Sequence, residues 1–231
     1  MAIDRTEIIQ EVGRRGWSLT RNVGFTDGDV IDQGALRELC RTIGRPSSRD
    51  GDRVVWPVRP VTTAPGATFS MRSGAAALHT DAAYRSDPEP WVVLFCVRPA
   101  ADGGLSTLLT LADLMAGLPA EIERALRQPI WRWQPPEVFG GQVTEPRTVL
   151  GPDGDIRWRY DTLEPDAEPQ AAAARFHEHL TAHPLTRAFQ PPVDSMLVVD
   201  NHRTLHGRTA FTDPGRLLLR VRLDDSPGSE R

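Results

Sequence analysis

A histidine and an aspartate two residues apart close an apolar stretch in "AALHTDAAYRSDPEPW", residues 76–91. On a strand, which rises about 3.3 Å per residue, positions i and i+2 project from the same face, so His79 and Asp81 can grip one cation. A strand end that merely turns polar produces the same pattern, and the pair alone does not decide. A second polar cluster, "VVDNHRTLHGRTAF" at residues 198–211, carries His202 and His206 four apart. A zinc-binding helix with that spacing needs a glutamate after the first histidine, whereas Arg203 follows His202 in a segment without helical periodicity. "FHEHLTAH", residues 176–183, fails in the same way because Thr181 stands where the second ligand belongs, and its His179 and His183 are expected on a solvated helix face.

Ten residues after His206 comes "RLLLRVRL". As a strand it puts Arg216, Arg220 and Arg222 on one face with Leu218, and Leu217, Leu219, Val221 and Leu223 on the other. An arginine fork is always charged and matches a carboxylate in two-point geometry, which suits recognition of the far end of a dicarboxylate if one of these side chains points inward.

"LHTD", "DNHRTLHGRTAF" and "GRLLLR", with "VRPAADGGLSTLLTLADLMAGLP" between the first two, together resemble the iron(II)- and 2-oxoglutarate-dependent dioxygenases of the taurine dioxygenase and clavaminate synthase group. The likeness covers about residues 70–110 and 195–223. It implies a mainly β fold with flanking helices, the double-stranded β-helix or jelly roll. It implies that His79, Asp81 and His206 hold iron(II), a set of two imidazoles and one carboxylate that leaves positions open for chemistry. 2-Oxoglutarate would take two of these through its keto-acid end and dioxygen the third. The far carboxylate would meet Arg216, helped by the hydroxyl of Ser106 or of Thr107, only one of which can face inward on a strand. Arg220 is then a plausible anchor for an anionic group of the substrate.

The implied activity is oxidative decarboxylation of 2-oxoglutarate to succinate, coupled to hydroxylation of an unactivated C–H bond of a small amino-acid-like or anionic molecule. Desaturation and ring closure by the same chemistry stay open. Members that halogenate carry a small residue in place of the carboxylate ligand, so Asp81 argues against that outcome. A reading from another class is a jelly-roll binding or regulatory protein that lacks turnover.

The elements that must position these residues follow from periodicity. Residues 4–14 and 34–46 read as amphipathic helices around a strand at "WSLTRNV", forming an N-terminal helical flank over about 1–45. Short strands broken by Gly, Pro, Asp and Ser follow: "RVVWPVRPV", "ATFSM", "AALHTD", "WVVLFCVRP" and "LSTLLTL". A helix is expected over "TLADLMAGLPAEIERAL", with Thr110 as its cap. Strands resume at "IWRWQPPEV" and "IRWRYDTL", then comes the helix "PQAAAARFHEHLTAH" and the strands "SMLVVDN" and "RLLLRVRL". One domain over 1–225 with a disordered tail at 226–231 is expected, and the loops after Asp81 and around 137–160 are candidates for a lid.

The chain has 231 residues and a net charge of −4, and its 27 basic residues are all arginine without clustering into runs. Nothing in this pattern suits nucleic acid or a membrane surface, so the expected partner is a small molecule. Exclusive use of arginine fits a GC-rich genome, a setting for specialised metabolite and antibiotic biosynthesis. Two cysteines, Cys40 and Cys96, sit in apolar stretches. With no signal-peptide pattern and no long apolar run, they fit a reducing cytoplasm.

Overall fold

The structure is a computed structural model that describes residues 3–27, 30–50, 52–61, 68–164 and 169–224. The expected tail at 226–231 lies outside the described residues. The chain opens with helix α1 (Arg5–Arg15), whose N-cap Asp4 accepts hydrogen bonds from the amides of Thr6 and Glu7. The helix stops at Gly16, where φ is +80°, a conformation glycine adopts without a Cβ clash. Strand β1 (Trp17–Arg21), the hairpin strands β2 (Thr26–Asp27) and β3 (Val30–Ile31), and helix α2 (Gln33–Ile43) complete this flank. Then come β4 (Trp56–Val58), β5 (Ala76–His79), β6 (Trp91–Arg98), β7 (Ser106–Thr110), α3 (Leu111–Met115), α4 (Ala120–Leu126), α5 (Gln170–Thr181), β8 (Arg187–Phe189), β9 (Ser195–Asp200), β10 (Thr204–Arg208) and β11 (Leu217–Leu223).

The strands form a five-stranded sheet in the order β1-β9-β6-β11-β4 and a four-stranded sheet in the order β5-β10-β7-β8. All their pairings are antiparallel. Alternation along β6 shows the layering. Val93, Phe95 and Val97 pack outward against α1 and α2 through Ile8, Leu36 and Cys40, whereas Val92, Leu94 and Cys96 join apolar clusters on the inner face. Both faces are covered, which is why the strand reads as a nearly unbroken apolar run. The outer face of the four-stranded sheet, through Leu109 and Leu205, is sealed by a third layer containing Trp131, Trp133, Trp158 and Phe176. Two facing sheets with helices outside them are the jelly-roll arrangement that the resemblance implied.

Several local expectations change. "ATFSM" is a 3-10 turn at Phe69–Met71, and the single long helix is two, α3 and α4, divided before the N-cap Pro119. The segments 130–138 and 156–163 make only isolated bridges, Trp131 with Arg147, Trp133 with Leu163 and Leu150 with Ile156. Their indoles pack as a plug, and Pro135 and Pro136, which have no N–H to give, stop a ladder from propagating. His183 is buried beside His179, with ring centroids 5.2 Å apart, instead of lying on a solvated face. No described helix is long and apolar enough to cross a membrane.

Candidate metal centre

Strand pairing builds the site. His79 ends β5 and His206 lies within β10, where the two are direct cross-strand partners. Their ring centroids are 4.6 Å apart. Asp81 is not on the strand as the simple i, i+2 reading had it. It sits in the turn that follows, and its Oδ1 lies 3.6 Å from Nε2 of His79 and 3.8 Å from Nε2 of His206. One ligand atom from each of the three falls within 4.8 Å of the others, and all three residues are buried.

The turn is held from a distance. Asn201, fully buried, accepts the Asp81 amide at 2.8 Å and donates to the carbonyls of Asp81 at 3.1 Å and Glu89 at 2.8 Å. Thr80 is clamped to Trp158 through both its amide and its hydroxyl. Ala82, next in the chain, has φ of +57°, a strained conformation for a residue with a Cβ that its surroundings must hold.

Electrostatics prepare the donors. The Nδ1 of His79 is 2.8 Å from the Ala77 carbonyl, so it carries the proton and Nε2 presents a lone pair toward Asp81 and His206. Burial first, and then the neighbouring His206 and Arg159, push the His79 pKa down to about 4. The ring is therefore neutral near pH 7. Burial by itself would raise the pKa of Asp81, but the Arg220 charge and the two histidine rings beside Oδ1 outweigh it and hold the carboxyl well below its ordinary range. Asp81 divides its oxygens: Oδ1 faces the histidines while Oδ2 meets Nη1 of Arg220 at 2.9 Å. Two imidazoles and a carboxylate with one oxygen turned to them fit a divalent metal such as iron(II).

Of the three arginines on that face of "RLLLRVRL", Arg216 and Arg220 line this cavity, but they differ. Arg220 spends its fork on two carboxylates, since its Nη2 also bonds Asp50 at 2.7 Å. The fork expected to anchor an anionic group of the substrate thus also holds a metal-ligand carboxylate. Among the described residues Arg216, just before β11, has no carboxylate partner, and its buried Nε and Nη1 are without hydrogen-bond partners. Burial lowers its pKa to about 10. Ser106 lines the same cavity as Arg216 and the metal residues. Thr107 projects to the opposite side of β7, into a cleft beside Tyr160 and His177, so alternation selects Ser106 of the two.

Two cavity arginines were not found in the sequence. Arg159 is paired with Asp161 at 3.0 Å and lies over the Phe69 ring. Arg208, two residues past His206 on the same strand, is buried, and burial followed by the Arg216 charge lowers its pKa to about 9. Period-two alternation from His206 marks Arg208; nothing local marks Arg159 or Asn201. The loop after Asp81 is no lid either, for Ala83 and Tyr84 are buried and Arg85 is ion-paired to Glu89 and Asp50.

Comparison with known proteins gives a consistent picture. A curated L-asparagine oxygenase of Streptomyces coelicolor is 30% identical over 168 residues, which is 67% of this chain and 49% of that protein. The chain thus spans about half the length of the curated relative it matches. Among solved structures, an asparagine oxygenase in complex with Fe(II), 2S,3S-3-hydroxyasparagine and succinate has a TM-score of 0.76 at 24% identity, covering 95% of this chain and 77% of the other. The non-heme iron oxygenase OrfP, in complex with Fe, succinate and (3S)-hydroxy-L-Arg, has a TM-score of 0.68 at 20% identity, covering 95% and 77%. At these identities the two structures establish the fold. The model of the taurine catabolism dioxygenase TauD, TfdA family matches residues 2–128 and 119–222, nearly the whole chain, and with His79, Asp81 and His206 gathered on the jelly roll the chain belongs to that family.

Proposed function

We propose that the protein is an iron(II)- and 2-oxoglutarate-dependent dioxygenase that hydroxylates an amino acid, free or carrier-linked. The observation that carries this reading is the meeting, in one cavity, of the three ligand residues with Ser106 and an Arg216 that has no counter-charge among the described residues. Iron(II), when bound with 2-oxoglutarate and dioxygen, supplies the oxidising power to remove hydrogen from a C–H bond. The residues supply everything around it. His79 and His206 would offer ring nitrogens to the metal. Asp81 would offer one oxygen while Arg220 restrains the other. Arg216 and Ser106 would receive the far carboxylate of 2-oxoglutarate and fix its distance from the metal. The substrate would approach along the cleft of about 520 Å³ that shares Phe69, Ala76, His79 and Arg208 with the metal cavity. The hydroxyasparagine and hydroxy-arginine held in complex by the structural neighbours support an amino-acid substrate.

The test is anaerobic addition of iron(II) and 2-oxoglutarate, followed by an amino-acid panel assayed for succinate and for product mass. A visible charge-transfer band that needs both additions, and one amino acid gaining an oxygen atom with stoichiometric succinate, are the expected results. Absence of the band would remove the proposal, and a band without turnover on any substrate would favour a binding protein.

A further inference from the structure

Four arginines line the cavity, and only two of them are compensated. Arg159 pairs with Asp161, and Arg220 with Asp81 and Asp50. Arg208 and Arg216 are both buried, and among the described residues neither forms an ion pair with a carboxylate. Both line the same cavity, and their guanidinium carbons lie 5.3 and 5.0 Å from the centroid of the Phe211 ring. Arg208 is tethered through Nη2 to the carbonyls of Arg72 and of Gly74, the latter at 2.9 Å, while its buried Nε has no partner. Across β7 its strand partner is Ser106. Two buried like charges with unmet donors are unfavourable unless an anion lies between them.

We infer that Arg208 and Arg216 form a paired seat for one carboxylate, so that Arg208 is a second contact for the distal carboxylate of 2-oxoglutarate and sets selectivity for a dicarboxylate cosubstrate. This rests on the reading of the site as a 2-oxoglutarate site. Two forks converging on one carboxylate discriminate a diacid from a mono-acid more sharply than one fork does, because a cosubstrate lacking that carboxylate leaves both cations unpaired. The tether to Arg72 and Gly74 holds the Arg208 fork to the segment that leads into β5, the strand carrying His79.

The test compares 2-oxoglutarate with 2-oxovalerate, which has the same five-carbon chain and lacks the distal carboxylate. Affinities are measured anaerobically by calorimetry on the protein loaded with iron(II), for the wild type, Arg208→Gln, Arg208→Lys and Arg216→Gln. Arg208→Gln should weaken 2-oxoglutarate by about tenfold or more and leave 2-oxovalerate within about twofold of wild type, with Arg208→Lys between. A purely structural role, acting through the Arg72 and Gly74 carbonyls, would weaken both keto acids alike and overturn the inference. Unchanged 2-oxoglutarate affinity in Arg208→Gln would also overturn it, assigning the surplus charge to the prime substrate. If the wild type binds neither keto acid in the presence of iron(II), the 2-oxoglutarate reading itself falls and this inference with it.

Discussion

His79 is a metal ligand prepared by burial, and the same burial has a cost in acid. Its pKa is about 4 in the folded protein against 6.5 for an ordinary histidine. Between those two values the unfolded chain takes up a proton that the native site refuses. Stability of the metal-free protein should therefore fall as pH drops from about 6.5 toward 4, by roughly 3 kcal/mol from this residue. Urea titrations from pH 7 to 4.5 should show a shallower decline for His79→Gln, and an unchanged slope would mean that the ring is already charged in the native state. Arg220 makes a second residue-scale prediction. Removing it leaves Asp81 and Asp50 buried with part of their counter-charge gone. Arg220→Met should thus cost about 3–5 kcal/mol of stability before any effect on substrate is read. Equal stability of mutant and wild type in urea would restore Arg220 to the simpler role of substrate anchor.

The elements explain which parts of this site could be read from sequence. His79, Asp81, His206, Arg216 and Ser106 each lie in a short motif that carries the family resemblance, although Asp81 sits in the turn after β5 and not on the strand. The contacts that hold them are not local: Asn201 reaches Asp81 across 120 positions, and Arg220 reaches Asp50 across 170. Strand alternation marks Arg208 from His206 and says that only one of Ser106 and Thr107 faces inward, but which of them does so follows from the register of β7 against β10. It fails at 130–138 and 156–163, where large aromatic side chains mimic strand composition but pack as an irregular layer. Gly104 tests how closely the turn before β7 is fitted to the cosubstrate arginine. Its φ is +63°, and a Cβ there would lie 3.1 Å from Nε of Arg216. Gly24, at φ +78°, has nothing within 4 Å of such a Cβ. Gly104→Ala and Gly24→Ala should both lose about 1–2 kcal/mol to backbone strain, but only Gly104→Ala should weaken 2-oxoglutarate. Equal 2-oxoglutarate affinity in the two variants would detach Arg216 from that carboxylate.

At the scale of the molecule, the metal ligand is one end of a buried chain of charges. From Asp81 it runs through Arg220, Asp50 and Arg222 to Glu89, with Arg85 bridging Asp50 and Glu89. Ser47 and Arg49 cap Glu89 from the segment after α2, at 2.7 and 3.1 Å. The lattice thus ties the helical flank, the loop after the metal turn and β11 into one body. Glu89 is fully buried, and although burial alone would raise its pKa, Arg222, the Ser47 hydroxyl and Arg85 together lower it, so it is ionised. Glu89→Gln keeps the shape and removes the charge, leaving Arg222 and Arg85 to share Asp50. It should cost about 3–5 kcal/mol. Because the members act as one network, Glu89→Gln combined with Arg222→Met should cost clearly less than the sum of the two single changes. Denaturant titrations with a common slope measure all three variants. A Glu89→Gln loss below about 0.5 kcal/mol, or strict additivity in the double variant, would show that Asp81 is held by its immediate neighbours alone and that the helical flank does not reach the metal site.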